Sequence, residues 1–208
     1  MFVTVDEIHL ADPADAWRSA GFRVDPDDVC RVGEVRLRLT GAGTGILGWA
    51  LRGLPQDGPL DGIPTSRSAA AATEPATHPN GVTSIDHVVL LSPNLSRTVE
   101  ALAAVGLQSR RVRDAELGGR PMRQIFFRLG AVILEVVGSP ESAADGPSSL
   151  WGITYVVADI EATASFFGER TLPVKDAVQP GRRITTLRHR DLGMSVRTAM
   201  ISPPILSR

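Results

Sequence analysis

The sequence predicts an α+β protein assembled from tandem β-α-β-β-β modules, and three observations predict it. Residues 82–137 read as one such module, residues 150–202 repeat its pattern, and residues 1–54 carry a worn third copy. Between them lie a stretch at 55–81 dense in Pro, Gly, Ala, Ser and Thr, which reads as a linker, and a shorter connector at 138–149.

The middle module is the clearest. Thr83 to Leu91 is rich in β-branched and aliphatic residues and reads as a strand. Asn94 is a good helix N-cap, and Leu95, Val99, Leu102 and Val105 then recur at helical spacing up to a stop at Gly106. Ser109 to Ala115 is a strand on a polar surface, followed by a Gly118-Gly119 turn. Met122 to Leu129 and Ala131 to Val137 are two further strands joined at Gly130.

The last module follows the same order. Gly152 to Val157 is a strand, Asp159 an N-cap, and Ile160, Ala164 and Phe167 a helical stripe closed by Gly168. Strands are expected at Pro173 to Val178, Arg183 to Arg188 and Leu192 to Ile201. Aligned by hand, Ser84-Ile85-Asp86-His87-Val88-Val89 lies over Gly152-Ile153-Thr154-Tyr155-Val156-Val157. Leu129 to Glu135 lies over Leu192 to Thr198. In the front copy Thr4-Val5-Asp6-Glu7-Ile8 matches Ser84 to Val88, Pro13 to Ala20 is a short helix, and Val32 to Arg38 matches Leu129 to Glu135. The anchors are 130 − 85 = 45 residues apart in the middle module and only 33 − 5 = 28 in the front copy, so one strand is expected to be lost or shortened there. Gly45 to Leu51 is a candidate extra strand. A repeat constrains architecture because each unit buries its apolar face against a neighbour.

Composition excludes several functions. A net charge of −1 provides no global field for nucleic acid or an anionic membrane. Cys30 is alone, so neither an internal disulfide nor a cysteine-rich metal knuckle is expected. No apolar run approaches the roughly 18 residues that span a bilayer, and the opening Met-Phe-Val-Thr-Val-Asp-Glu does not read as a signal peptide. A cytoplasmic location is the resulting expectation. No Gly-rich phosphate loop, Gly-x-Ser-x-Gly elbow or His-Glu-x-x-His pattern occurs.

Tandem modules opened by Ile-Asp-His-Val-Val at 85–89 and closed by Ile-Leu-Glu-Val-Val at 133–137 resemble the glyoxalase/bleomycin-resistance/extradiol-dioxygenase, or vicinal oxygen chelate, superfamily over residues 82–202. The resemblance implies a cupped mixed sheet with helices on its convex side. It implies a ligand pocket in the hollow, with each module offering one metal ligand from its first strand and one from its last. Carried over, those positions are His87 and Glu135 in one module and Tyr155 and Thr198 in the other. The second pair is chemically wrong for a first-row metal. The implied site is therefore an incomplete one for Zn, Ni, Mn or Fe.

His87 shares a sheet face with Ile85 and Val89, and Glu135 shares one with Ile133 and Val137. A carboxylate among apolar side chains needs a cation, a proton or a hydrogen-bond partner, and His87 is the natural one. The candidate catalytic residues are Glu135 as base, His87 as its orienting or proton-shuttling partner, and Tyr155 as donor. Tyr155, Thr198, Arg123 and Arg197 are the candidate substrate contacts. The implied activity is that of a lyase, isomerase or dioxygenase; the alternative is a non-catalytic protein that sequesters a small molecule. An unmatched front module would leave an open sheet edge, and hence a possible homodimer.

Overall fold

The computed structural model describes residues 2–205. Its strands are β1 (Thr4–Leu10), β2 (Val29–Val32), β3 (Val35–Leu39), β4 (Ile46–Arg52), β5 (Thr65–Ser68), β6 (Val82–Leu91), β7 (Ser109–Leu117), β8 (Arg120–Leu129), β9 (Val132–Gly138), β10 (Ser149–Val157), β11 (Lys175–Asp176), β12 (Arg183–Thr186) and β13 (Arg197–Ile201). The helices are α1 (Ala14–Ser19), α2 (Leu95–Ala104) and α3 (Ile160–Phe167).

Caps and apolar stripes explain the two longer helices. The Asn94 side chain accepts from the Arg97 amide, and Leu95, Thr98 and Leu102 turn inward. Asp159 accepts from the amides of Glu161 and Ala162, and Ile160, Thr163 and Phe167 turn inward. Each cap is worth about 1 kcal/mol, and each fully buried aliphatic or aromatic side chain about 1.5–3 kcal/mol. Burial therefore decides where the helices lie, and the caps decide where they begin.

The strands form two mixed sheets. The larger has eight strands in the order β11-β12-β13-β10-β6-β9-β8-β7, and the smaller five in the order β2-β3-β1-β4-β5. At the centre of the larger sheet β6 runs antiparallel to β10, β9 parallel to β6, and β13 parallel to β10. In the smaller sheet β1 runs antiparallel to β4, β3 parallel to β1, and β5 parallel to β4. The two pairing patterns are identical. The smaller sheet is the central five strands of the larger one, stripped of its flanks.

This corrects three expectations. The stretch at 55–81 is not merely a linker, because Thr65–Ser68 forms β5. The front copy is not an unmatched third module: β4 and β5 are the remnants of a fourth that pairs with it, so the argument for a dimer through an odd module falls away. The last strand starts at Arg197 rather than Leu192, because His189–Leu192 coils into a 3-10 turn that ends at Gly193, at φ 72°.

The sheets share one core. Trp17 and Phe22 from the N-terminal half pack their rings 4.6 Å apart, and Tyr155 of β10 lies 5.4 Å from Phe22 and 6.3 Å from Trp17. Beneath them buried Asp12 ties the halves together: Trp17 Nε1 donates to it at 3.0 Å, and the Ser195 amide donates at 2.7 Å.

Candidate functional site

Register decides which side chains face the hollow. Val88, Leu90, Leu134 and Val136 are fully buried beneath the helices, whereas the alternate residues His87, Val89, Ile133 and Glu135 are only partly covered and share the opposite, concave face. In the pairing with β10, Ile85 sits opposite Tyr155 and His87 opposite Thr154, so Asp86 is an extra residue in a β-bulge. The bulge turns Asp86 to the same side as His87. The carboxylate Oδ2 then meets His87 Nδ1 at 2.8 Å, while Arg182 Nη1 donates to Asp86 Oδ1 at 2.7 Å.

Asp86 and Arg182 are among the best covered ions of the molecule, with side chains 8% and 6% exposed. Burial works to raise the Asp86 carboxyl, but the bonds from His87 and Arg182 outweigh it and hold that carboxyl below its ordinary value. An ionised carboxylate only accepts, so His87 Nδ1 carries the proton and Nε2 is the atom turned to the ligand side. Nε2 lies 3.5 Å from Glu135 Oε2. The other Glu135 oxygen takes the side-chain amide of Gln124, whose own oxygen accepts from Arg113 Nε at 2.7 Å. A chain of polar groups, Arg182–Asp86–His87–Glu135–Gln124–Arg113, thus crosses the concave face.

The second half of the sheet has no matching donors. The helix N-cap falls seven residues after His87 and seven after Gly152 (94 − 87 and 159 − 152), which makes Gly152 the counterpart of His87. Ile133 pairs with His87 and Arg197 with Gly152; two residues further along those strands stand Glu135 and Ala199. The positions corresponding to the two donors are therefore a glycine and an alanine. Tyr155 and Thr198 are not those positions. Thr198 lies opposite Ile153 and Tyr155 beside Met200, on the buried face. The hand alignment set His87 over Tyr155, three residues past Gly152, and Glu135 over Thr198, one residue short of Ala199; both displacements are odd, and in a strand an odd displacement changes the face. Thr198 donates its hydroxyl to the Val196 carbonyl at 3.0 Å. Tyr155 is wholly buried, its hydroxyl has no hydrogen-bond partner among the described residues, and burial raises it well above its ordinary value. It is an aromatic core residue and not a donor in the hollow.

The residues present do not fit a metal of the type the resemblance implied. One imidazole and one carboxylate converge, and among the described residues no group of three or more His, Cys, Asp or Glu side chains is placed to hold an ion; catalytic sites for such metals use about three protein ligands. Gly152 could not be exchanged for a ligand without disturbance. A Cβ there would stand 2.8 Å from the Arg197 carbonyl oxygen.

Where the second pair of donors is missing, a cleft opens. It has a volume of about 390 Å³, with Val89, Gly152, Thr154 and Ala199 among its lining residues. Its other walls include Trp151, Arg197 and the turn from Arg188 to Asp191. The Arg197 guanidinium lies over the Trp151 ring, 4.8 Å from its centroid. Burial, and then the nearby charge of Arg197, push the His189 imidazole below its ordinary value, so it is an uncharged donor and acceptor at neutral pH. His87 and Glu135 lie outside the lining, although Thr154 pairs with His87 directly.

Of the sequence candidates, His87 and Glu135 come together, and Arg197 lines the adjoining cleft. Arg123 lies on the other face of β8 from Gln124 and forms an exposed pair with Asp114 at 2.6 Å. Asp86, Arg182 and Gln124 were missed. Asp86 had a signal, because the aligned Asp6 stands at the same bulge in β1: Val5 pairs with Leu51, Glu7 with Ala50, and Asp6 is skipped.

No family profile matches the chain, and no curated protein does. Solved structures do. A variant of 4-hydroxymandelate synthase from Streptomyces coelicolor aligns over 100% of this chain and 94% of its own, with TM-score 0.66 and 16% identity. An extradiol ring-cleaving dioxygenase from B. fuscum aligns over 98% of this chain and 72% of its own, with TM-score 0.61 and 14% identity. A catechol 2,3-dioxygenase aligns over 99% and 95%, with TM-score 0.59 and 10% identity. The chain has the vicinal oxygen chelate fold. Both sheets take part in that likeness, since the alignments run through the N-terminal half as well as the C-terminal one.

Proposed function

We propose that this protein binds a small organic molecule in the cleft on the second half of the cupped sheet, and does so without a catalytic metal. The observation that carries the reading is the replacement of two donor positions by Gly152 and Ala199, where the cleft opens. A concave site with apolar walls and a few convergent polar groups is the usual form of a small-molecule pocket. Sequestration of the ligand, as in the bleomycin-resistance type, needs nothing more than this. The neighbours whose names denote dioxygenases support the location of the site and not its chemistry.

The Asp86–His87–Glu135 alignment favours a second reading, a metal-free isomerase. Asp86 fixes the imidazole through Nδ1, leaving Nε2 and Glu135 Oε2 to exchange a proton with a ligand lying over Thr154. Amide chemical-shift mapping with a fragment library tests the site common to both. Hits are expected to move Gly152, Thr154, Arg197 and Ala199 together. Hits that cluster on the N-terminal sheet, or that leave these four unmoved, would contradict the proposal.

A further inference from the structure

We infer that the ligand is an organic anion with a flat apolar body, and that Arg197 supplies the positive charge that holds it. The inference rests on the proposed binding cleft and deepens it by naming the ligand class. Its basis is the distribution of paired and unpaired arginines.

Several arginines that do not line the cleft are matched to carboxylates. Arg31 bonds Asp25, Arg38 bonds Glu7, Arg97 bonds Asp61, Arg182 bonds Asp86 and Arg183 bonds Glu161. Around the cleft the matching stops. Arg188, Arg190 and Arg197 line it, and none of the three makes an ion pair among the described residues. Asp191 is the one carboxylate in the lining. The first half of the concave face continues the excess: register turns Arg111 and Arg128 to the side of Glu135 and His87, and neither makes an ion pair among the described residues. A chain with net charge −1 therefore gathers unneutralised guanidinium groups on one concave surface. Clefts lined by one sign of charge concentrate ligands of the other.

Trp151 defines the rest of the ligand. It is 44% exposed, whereas Trp17 and Trp49 are 0% and 1% exposed. Its ring and the Arg197 guanidinium stack on the same wall as the apolar floor of Val89, Gly152 and Ala199. A guanidinium presents a fork of donors that matches a carboxylate. The adjacent ring and floor match a planar hydrocarbon body. Bulk positive charge, which a divalent ion would otherwise supply to a ligand oxygen, is in this hollow a property of the chain itself.

Three probes test the inference: benzoate, its neutral analogue benzamide, and inorganic phosphate, each titrated at low salt while Trp151 emission is followed. Trp17 and Trp49 also emit but do not line the cleft, so the ligand-induced change, and not the total emission, reports on Trp151. Benzoate is expected to bind at least tenfold more tightly than benzamide or phosphate, to weaken as salt is raised, and to be unaffected by EDTA. Arg197→Met, at an exposed position, is expected to leave the thermal midpoint unchanged and to erase the preference for benzoate. Equal binding of benzoate and benzamide would leave the cleft as a binding site and overturn the anion inference. So would phosphate binding as tightly as benzoate, a preference that survives Arg197→Met, or benzoate binding lost in EDTA. No response to any probe at millimolar concentration would overturn both the inference and the proposed cleft.

Discussion

The two sheets carry the same strand pairing and the same bulge, yet one hollow is filled and the other open. In the N-terminal sheet Glu7 and Arg38, the counterparts of His87 and Glu135, close on each other in a fork of 2.8 and 3.0 Å. Asp6 takes Arg36, Arg52 and Ser68, and the chain at 70–71 lies across the same arginines, with Arg52 Nε donating to the Ala70 carbonyl at 2.7 Å. Asp6, Glu7, Arg36, Arg38 and Arg52 thus all have partners inside the chain. In the C-terminal sheet Asp86 is equally well held, but beyond it the Arg197 wall has no internal partner. The difference separates the bulge aspartate, held by arginine in both sheets, from the flanking positions, which are paired in one sheet and open in the other. The fold keeps its pairing whether or not the hollow is left free for a ligand.

The largest expected effects test whether the two aspartates are equivalent. Asp86→Asn leaves the buried Arg182 charge uncompensated and is expected to cost about 3 kcal/mol in chemical denaturation; Asp6→Asn leaves the part-buried Arg36 and Arg52 and is expected to cost somewhat less. A large loss for one and none for the other would break the comparison. The Asp86 carboxyl lies below its ordinary value when folded, so its contribution is full above the unfolded value of about 4 and is lost as pH falls through the folded one. The stability gap between the native protein and Asp86→Asn is therefore expected to shrink in acid titrations below about pH 4.

Next come the paired glycines. Gly48 and Gly152 occupy matching places in β4 and β10, and a Cβ would stand 2.5 Å from the Pro64 carbonyl oxygen in one and 2.8 Å from that of Arg197 in the other. Alanine at either is expected to cost about 1–3 kcal/mol, read from thermal unfolding, and only Gly152→Ala to disturb the cleft. Tyr155→Phe removes a buried hydroxyl that has no partner, so stability is expected to hold or rise by about 1 kcal/mol, with ligand binding unchanged. Loss of binding in that variant would restore Tyr155 as a site residue. The smallest effect belongs to Arg123→Ala, whose exposed pair with Asp114 is expected to contribute less than about 0.5 kcal/mol.

Much of this was legible in the sequence where one signal sufficed. Helix caps at Asn94 and Asp159 and the strand from Thr83 to Leu91 follow from local pattern, and the meeting of His87 with Glu135 from the family resemblance. The counterpart Gly152 was within reach by counting back seven residues from the caps at Asn94 and Asp159, a spacing the hand alignment did not use, whereas Ala199 needed the register of β13 on β10. The strand β5 was hidden for a different reason. Thr65-Ser66-Arg67-Ser68 has little apolar character of its own, and its place is set by parallel pairing with Trp49 to Arg52. Arg182 was out of reach too: its partner Asp86 lies in another module, and nothing in either segment announces the contact.

Elemental analysis of the purified protein tests the central claim most directly. With Gly152 and Ala199 where donors would stand, the expected result is less than one equivalent of Zn, Ni, Mn or Fe per chain, with His87→Ala leaving metal content little changed. One tightly held equivalent, lost on His87→Ala, would contradict it.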